Sequence, residues 1–269
     1  MSTPAAEQQR TQERAAWLAD IAANALHSAR GSLGRAAHVT QEVDNYLRRS
    51  EEELAYLPGQ ANQVRAAEGE TRPFVRNAQH LAGTADDRIR HGQAGIAEVR
   101  NQLDQGANAL RAGREALNEL STLPVQHDTA AMVRLAYKIG ALDNAVQNAH
   151  HGMDEASRRL TSARDSLAPL VNGAPTQDRE STAALINQSA TAADTQLANA
   201  RLGLGTLNES FATTQGDSQA AAADSADLAR HFAAAANPTP SAAQQHQPAA
   251  GDEAHKPKES EIASRLRGL

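Results

Sequence analysis

Cysteine is absent from this 269-residue chain. Disulfides, thiolate zinc sites and iron–sulfur clusters are therefore excluded. Aromatic residues are scarce, with three Phe, three Tyr and one Trp. Burying a large apolar side chain is worth roughly 1.5–3 kcal/mol, and a methyl group much less, so a thick globular core is not expected. No stretch approaches the ~18 continuous apolar residues of a membrane span. The first twenty residues hold Glu7, Arg10, Arg14 and Asp20 and show no apolar signal-peptide region. Lysine is confined to Lys138, Lys256 and Lys258, and the formal net charge is −6. An acidic balance opposes general binding to phosphate backbones. These absences lead us to expect a cytoplasmic protein, or one exported without a leader, with no membrane span and no nucleic-acid partner.

What is abundant is alanine, about a fifth of the chain. Breaks are few: Pro58-Gly59, Pro73, Pro124 and Gly173-Ala174-Pro175, with Pro238 and Pro240 ending the regular part. Between them lie four segments, read as helices over about 5–57, 73–122, 128–172 and 178–236. Each carries an a/d heptad pattern in steps of three and four. The first runs through Ala22, Leu26, Ala29, Leu33, Ala36, Thr40, Val43, Leu47, Ser50, Leu54 and Leu57. The second includes Val75, Ala85, Ile89, Gly92, Ile96, Leu103, Gly106, Leu110 and Gly113. The third runs from Met132 through Ile139, Val146, Met153 and Leu160 to Leu170, and the fourth from Ile186 through Leu197, Leu204, Phe211 and Thr214 to Phe232. No phase slip interrupts any of them.

The seams alternate by size. Ile89, Ile96, Leu103 and Leu110 take one position, and Ala85, Gly92, Gly106 and Gly113 the other. Large-with-small layers let helix axes approach closely, and the short connections demand antiparallel neighbours. Gly92, Gly106 and Gly113 are predicted to be close-approach positions. Position e is polar or charged, with Asp44, Glu51, Asp86, Arg100, Arg114, Arg164 and Arg201, as suits the edge of a narrow seam. Asp128 or Thr129, and Thr176 or Asp178, are candidate N-caps, and Pro73 suits a first turn. Residues 59–72 break the heptad and read as a loop or short helix. The predicted fold is all-α: an elongated, antiparallel, coiled-coil-like four-helix bundle over residues 1–236. A disordered linker follows over 237–258, then a short amphipathic segment over 259–269.

Chemistry is hard to find. None of the ten histidines has a Glu three residues earlier, the pairing that bundle metal sites use. None falls on a seam, so each is expected to face outward. His150-His151 with Asp154 and Glu155 is the densest such group in the helices. No Gly-x-Ser-x-Gly elbow occurs, and Gly203-Leu204-Gly205 lacks the preceding strand and later glycines of a nucleotide-binding loop. The expectation is a non-enzyme with no catalytic, cofactor or metal residues.

Two places suit protein partners. Trp17 and Ile21 lie four apart, off the first seam. They are either an exposed anchor or the point where a drifting seam rotates onto them. The second is the C-terminal segment, where Ile262, Leu266 and Leu269 repeat at helical spacing with Arg265 and Arg267 beside them. Such a tethered segment has the pattern of a docking peptide. Its last eight residues resemble the terminal targeting peptides of encapsulin cargo proteins. The leaderless helical hairpins are similar to small type VII secretion substrates, although Trp17-Leu18-Ala19 stands where those have Trp-x-Gly. These resemblances imply compartment targeting or export. The residues alone imply a stiff scaffolding or interaction protein with one or more protein partners, self-association included.

Overall fold

The computed structural model describes residues 4–126, 128–173 and 178–237. They form four long helices and one short one, with no strand among the described residues. These are α1 (Pro4–Leu54), α2 (Leu57–Ala66), α3 (Arg72–Thr122), α4 (Thr129–Val171) and α5 (Arg179–Ala236). At 1.5 Å per residue the long ones measure about 65–87 Å.

α1 packs against α3 and α5, and α4 packs against the same two, so the helices close in the order α1–α3–α4–α5. Neighbours are antiparallel, because rising numbers on one helix meet falling numbers on the next. Between α1 and α3, Leu47 lies by Gly92 and Leu26 by Gly113. Between α3 and α4, Asp86 pairs with Arg164 and Arg114 with Asp143. Between α4 and α5, Lys138 pairs with Asp224 while Gly152 faces Leu207. α1 and α4 are thus parallel and diagonally opposed.

The heptad seams are the core. Every seam residue named above for the first segment is buried, from Ala22 to Leu57. In the other three segments Val75, Met132 and Thr214 are the seam residues left half-buried. α1 extends its seam backwards through Ala19 and Ala15, both buried, and Leu18 beside the seam is buried too. The buried face takes in Leu18 and half of Ile21 here but does not rotate as far as Trp17.

Glycine spacing identified the close approaches only in part. A Cβ on Gly92 would lie 3.0 Å from Leu47 Cδ2. Around Gly106 and Gly113 the nearest atoms would be 3.8 and 3.6 Å away, which leaves room for alanine. The tighter positions are Gly95, where a Cβ would overlap Val43 Cγ2, and Gly152, where three carbons of Leu207 would lie at 3.0–3.1 Å. Neither is a seam position. They sit beside it, where only the neighbouring helix reveals the crowding.

The first segment also ends differently. α1 stops at Leu54, and Pro58 opens α2 instead of merely breaking the chain. A proline lacks the N–H that a first turn leaves unpaired, and its φ already suits a helix. α2 buries Leu57, Ala61 and Val64 and packs against α3 and α5. Arg179 donates to the carbonyls of Ala67, Glu68 and Gly69, which ties the following loop to the start of α5.

The caps follow expectation. The Asp128 carboxylate accepts from Ala131 N–H at 2.9 Å, and Asp178 accepts from Ser181 N–H at 2.8 Å. The Ser181 bonds hold the Asp178 carboxyl below its ordinary value. Pro73 stands in the first turn of α3. Gly173 takes φ +71° just after α4. That left-handed conformation suits glycine, and its N–H reaches Leu170 O at 3.1 Å.

Candidate functional site

The charged residues at the seam edges are engaged between helices. Arg201 of α5 donates to Asp44 Oδ1 at 2.8 Å and Glu51 Oε2 at 2.6 Å, both on α1. The Asp44 bond raises the Arg201 guanidinium above its ordinary value. Burial pushes the Glu51 carboxyl up, more than Arg201 draws it down. On the opposite face Asp86 of α3 is only 5% exposed. It accepts from Arg164 Nε of α4 at 2.7 Å and pairs with Arg90 at 2.7 Å. The heptad places Asp86 at a solvated edge, but the bundle buries it, because Arg164 folds across it from α4. Arg100 pairs with Asp154, Arg14 with Glu119, and Arg88 with Glu53 at 2.8 Å. These groups hold neighbouring helices in register.

A half-buried polar cluster joins α1 to α3 as well. Arg35 donates to Gln102 Oε1 at 2.8 Å and to Ser32 Oγ at 3.1 Å, and Gln102 donates on to Glu98 at 2.6 Å. Ser32 and Gln102 are buried yet off the seam, so spacing alone did not mark them.

Among the described residues the histidines face outward as expected, with one exception; His127, His246 and His255 lie outside those residues. His27, His38, His80, His91, His151 and His231 are exposed, whereas His150 is half-buried with Nε2 at 3.4 Å from Asp104 of α3. Among the described residues no group of three or more His, Asp or Glu side chains is placed to hold a metal. No helix is long and apolar enough to cross a membrane among those residues.

Trp17 remains 57% exposed on α1, while Ile21 is half-buried against the core. The two therefore separate, and Trp17 alone presents its ring to solvent. Sequence reasoning missed the matching feature on α4. Val133 and Tyr137, also four apart and off the seam, are 62% and 78% exposed. The spacing that singled out Trp17 and Ile21 was available there too. The ion pairs Arg14–Glu119 and Arg114–Asp143 set the registers. They put Trp17 and Tyr137 at about the same level of the bundle, on diagonally opposed helices.

Ile262, Arg265, Leu266, Arg267 and Leu269 lie outside the described residues, as do the linker 238–258 and Thr176. Comparison of the chain with protein-family models, curated proteins and solved structures returns no match.

Proposed function

We propose that the chain is a non-enzymatic scaffolding protein, a helical rod that holds protein partners at fixed positions. The observation that carries this reading is the placement of Trp17 and the Val133–Tyr137 pair. Large exposed apolar side chains are normal when scattered singly. Here an indole and a phenol stand near one end of the bundle, on diagonally opposed helices. Trp and Tyr are the side chains enriched at binding hot spots. Two outward anchors at one level suit the bridging of two partners, or of two copies of the chain. The interhelical ion pairs support the same reading, since they stiffen the rod between the anchors.

Because the chain lacks cysteine, single thiols can carry photo-crosslinkers without background. Crosslinkers at positions 17 and 137 should each yield a defined protein adduct in the native cell, or a dimer of the chain. A crosslinker at the exposed, polar Asn101 should not. The same adducts from all three positions would contradict the proposal.

A second reading, targeted or leaderless-exported cargo, draws on the spacing of Ile262, Leu266 and Leu269. Residues 238–269 fused to a fluorescent reporter should then redirect it. A reporter that stays evenly distributed would remove this reading.

A further inference from the structure

A groove of about 620 Å³ runs between α1 and α5, along residues 27–41 of α1 and 208–218 of α5. Its cause is visible in the residue types. Gly31 and Gly34 give α1 no bulk here, and a Cβ on Gly34 would meet nothing within 4 Å. Across from them, α5 offers Thr214, its half-buried seam residue, and the small Ser218. Leu33 and Phe211 form an apolar floor. The α1–α5 seam is underfilled at this point.

The charge of the lining is one-sided. The titratable side chains lining the groove are His27, Arg30 and His38, and none is a carboxylate. Three acids stand nearby: Glu42 lies 3.5 Å from His38, one turn further along α1, and Glu209 and Asp217 are exposed on α5 outside the lining. In a chain of net charge −6, a carboxylate-free lining is a local reversal.

The dimensions select among occupants. Residues 27–41 span about 21 Å, so the mean section is roughly 30 Å², against roughly 80 Å² for a helix 10 Å across. A partner helix is too wide to enter the groove and would reach it only with side chains from outside. An extended peptide would bring backbone N–H and C=O groups that helical walls cannot pair, because helix backbones are already bonded internally. A single hydrocarbon chain brings no such groups.

The α5 wall is also the kind that yields. Between Gly203 and Gly216 it holds three glycines. Thr206, Ser210, Thr213 and Thr214 each bond a carbonyl three or four residues back. Both features lower helix stability locally.

We propose that this groove binds an amphiphilic anion of the fatty-acid class. The acyl chain lies along Leu33 and Phe211 towards Ala37, and the carboxylate is held by Arg30 with His27 one turn away. This goes beyond the scaffolding reading and does not depend on it.

The test is calorimetric titration of the full chain with laurate below its micelle concentration, with far-UV circular dichroism confirming the fold of each variant. One laurate per chain is expected, with a micromolar dissociation constant. Gly34→Phe, which fills the groove, should weaken binding at least tenfold. Arg30→Glu, a surface change that leaves packing intact, should do the same if Gly34→Phe disturbs the fold. Dodecanol should bind at least tenfold more weakly than laurate. Gly140→Phe, at another open glycine outside the groove, should bind as the native chain does. Absence of saturable binding, binding unaffected by the groove variants, or equal binding of dodecanol and laurate would overturn the proposal.

Discussion

Gly95 of α3 lies directly against Val43 of α1, so closely that a methyl group on the glycine would overlap the valine Cγ2. Alanine in place of an interior helical glycine gains about 1 kcal/mol from propensity alone. Overpacking a β-branched neighbour with little rotamer freedom costs roughly 1–3 kcal/mol. Gly95→Ala is therefore expected to lower the melting temperature. Gly140→Ala, with open space around its Cβ, should raise it. Thermal unfolding followed by circular dichroism checks the pair. Stabilisation by both would show that α1 and α3 stand further apart than described.

Leu103 is fully buried on the seam and Trp17 is mostly exposed. Leu103→Ala should cost about 2–5 kcal/mol through lost burial and a residual cavity. Trp17→Ala should cost well under 1 kcal/mol, as a surface change does. Urea unfolding measures both. Trp17 is also the sole tryptophan, so its native emission should be that of a water-exposed indole, readily quenched by acrylamide. A blue-shifted, protected emission would mean that Trp17 is covered, and the proposed partner anchor would be lost.

Asp86 is buried and bonded to Arg164 and Arg90. Arg164→Leu leaves a buried carboxylate with one exposed partner and should cost about 1–3 kcal/mol. Asp86→Leu combined with Arg164→Leu should recover much of that loss, because an ion pair replaced by apolar groups is often neutral. A double-mutant cycle reads the coupling. Additive single effects would show that the pair does not hold α3 to α4.

Two carboxylates give opposite pH dependences. The folded pKa of Glu51 is raised, chiefly by burial. Its relative stabilisation is present below the unfolded value near 4.5 and is lost as pH rises through the folded value. Glu51→Gln should therefore gain on the native chain as pH rises across that window. The folded pKa of Asp178 is lowered, chiefly by the Ser181 N–H. Its contribution is present above the unfolded value near 3.8 and is lost as pH falls through the folded value. Asp178→Ala should differ most from the native chain at neutral pH and least in acid. Stability curves against pH test both signs.

Much of the fold was legible because helix and seam share one period. Leu26, Leu47, Ile89, Leu103 and Leu160 repeat on a single face, and only mutual burial of such faces removes them from water. Asp128 and Asp178 mark helix starts through chemistry confined to one turn. What was not legible depends on the neighbouring helix. Gly95 looks less significant than Gly113 until Val43 is placed above it. Asp86 looks solvated until Arg164 crosses it, and Gln102 looks like surface until Arg35 reaches it. The α1–α5 groove depends on Gly34 lying opposite Thr214, residues 180 positions apart. The exposed Tyr137 was within reach of the same spacing argument as Trp17.

The central claim is that the four heptad seams satisfy one another within a single chain. Sedimentation equilibrium across a wide concentration range, with helicity measured on the same samples, tests it most directly. Where the chain is helical, the closed bundle predicts a core that persists on dilution. The mass should return to 28.4 kDa with no loss of helix, even if copies associate through Trp17 or Tyr137 at higher concentration. A dimer whose dissociation melts the helices would contradict the account, because the seams would then be pairing between chains.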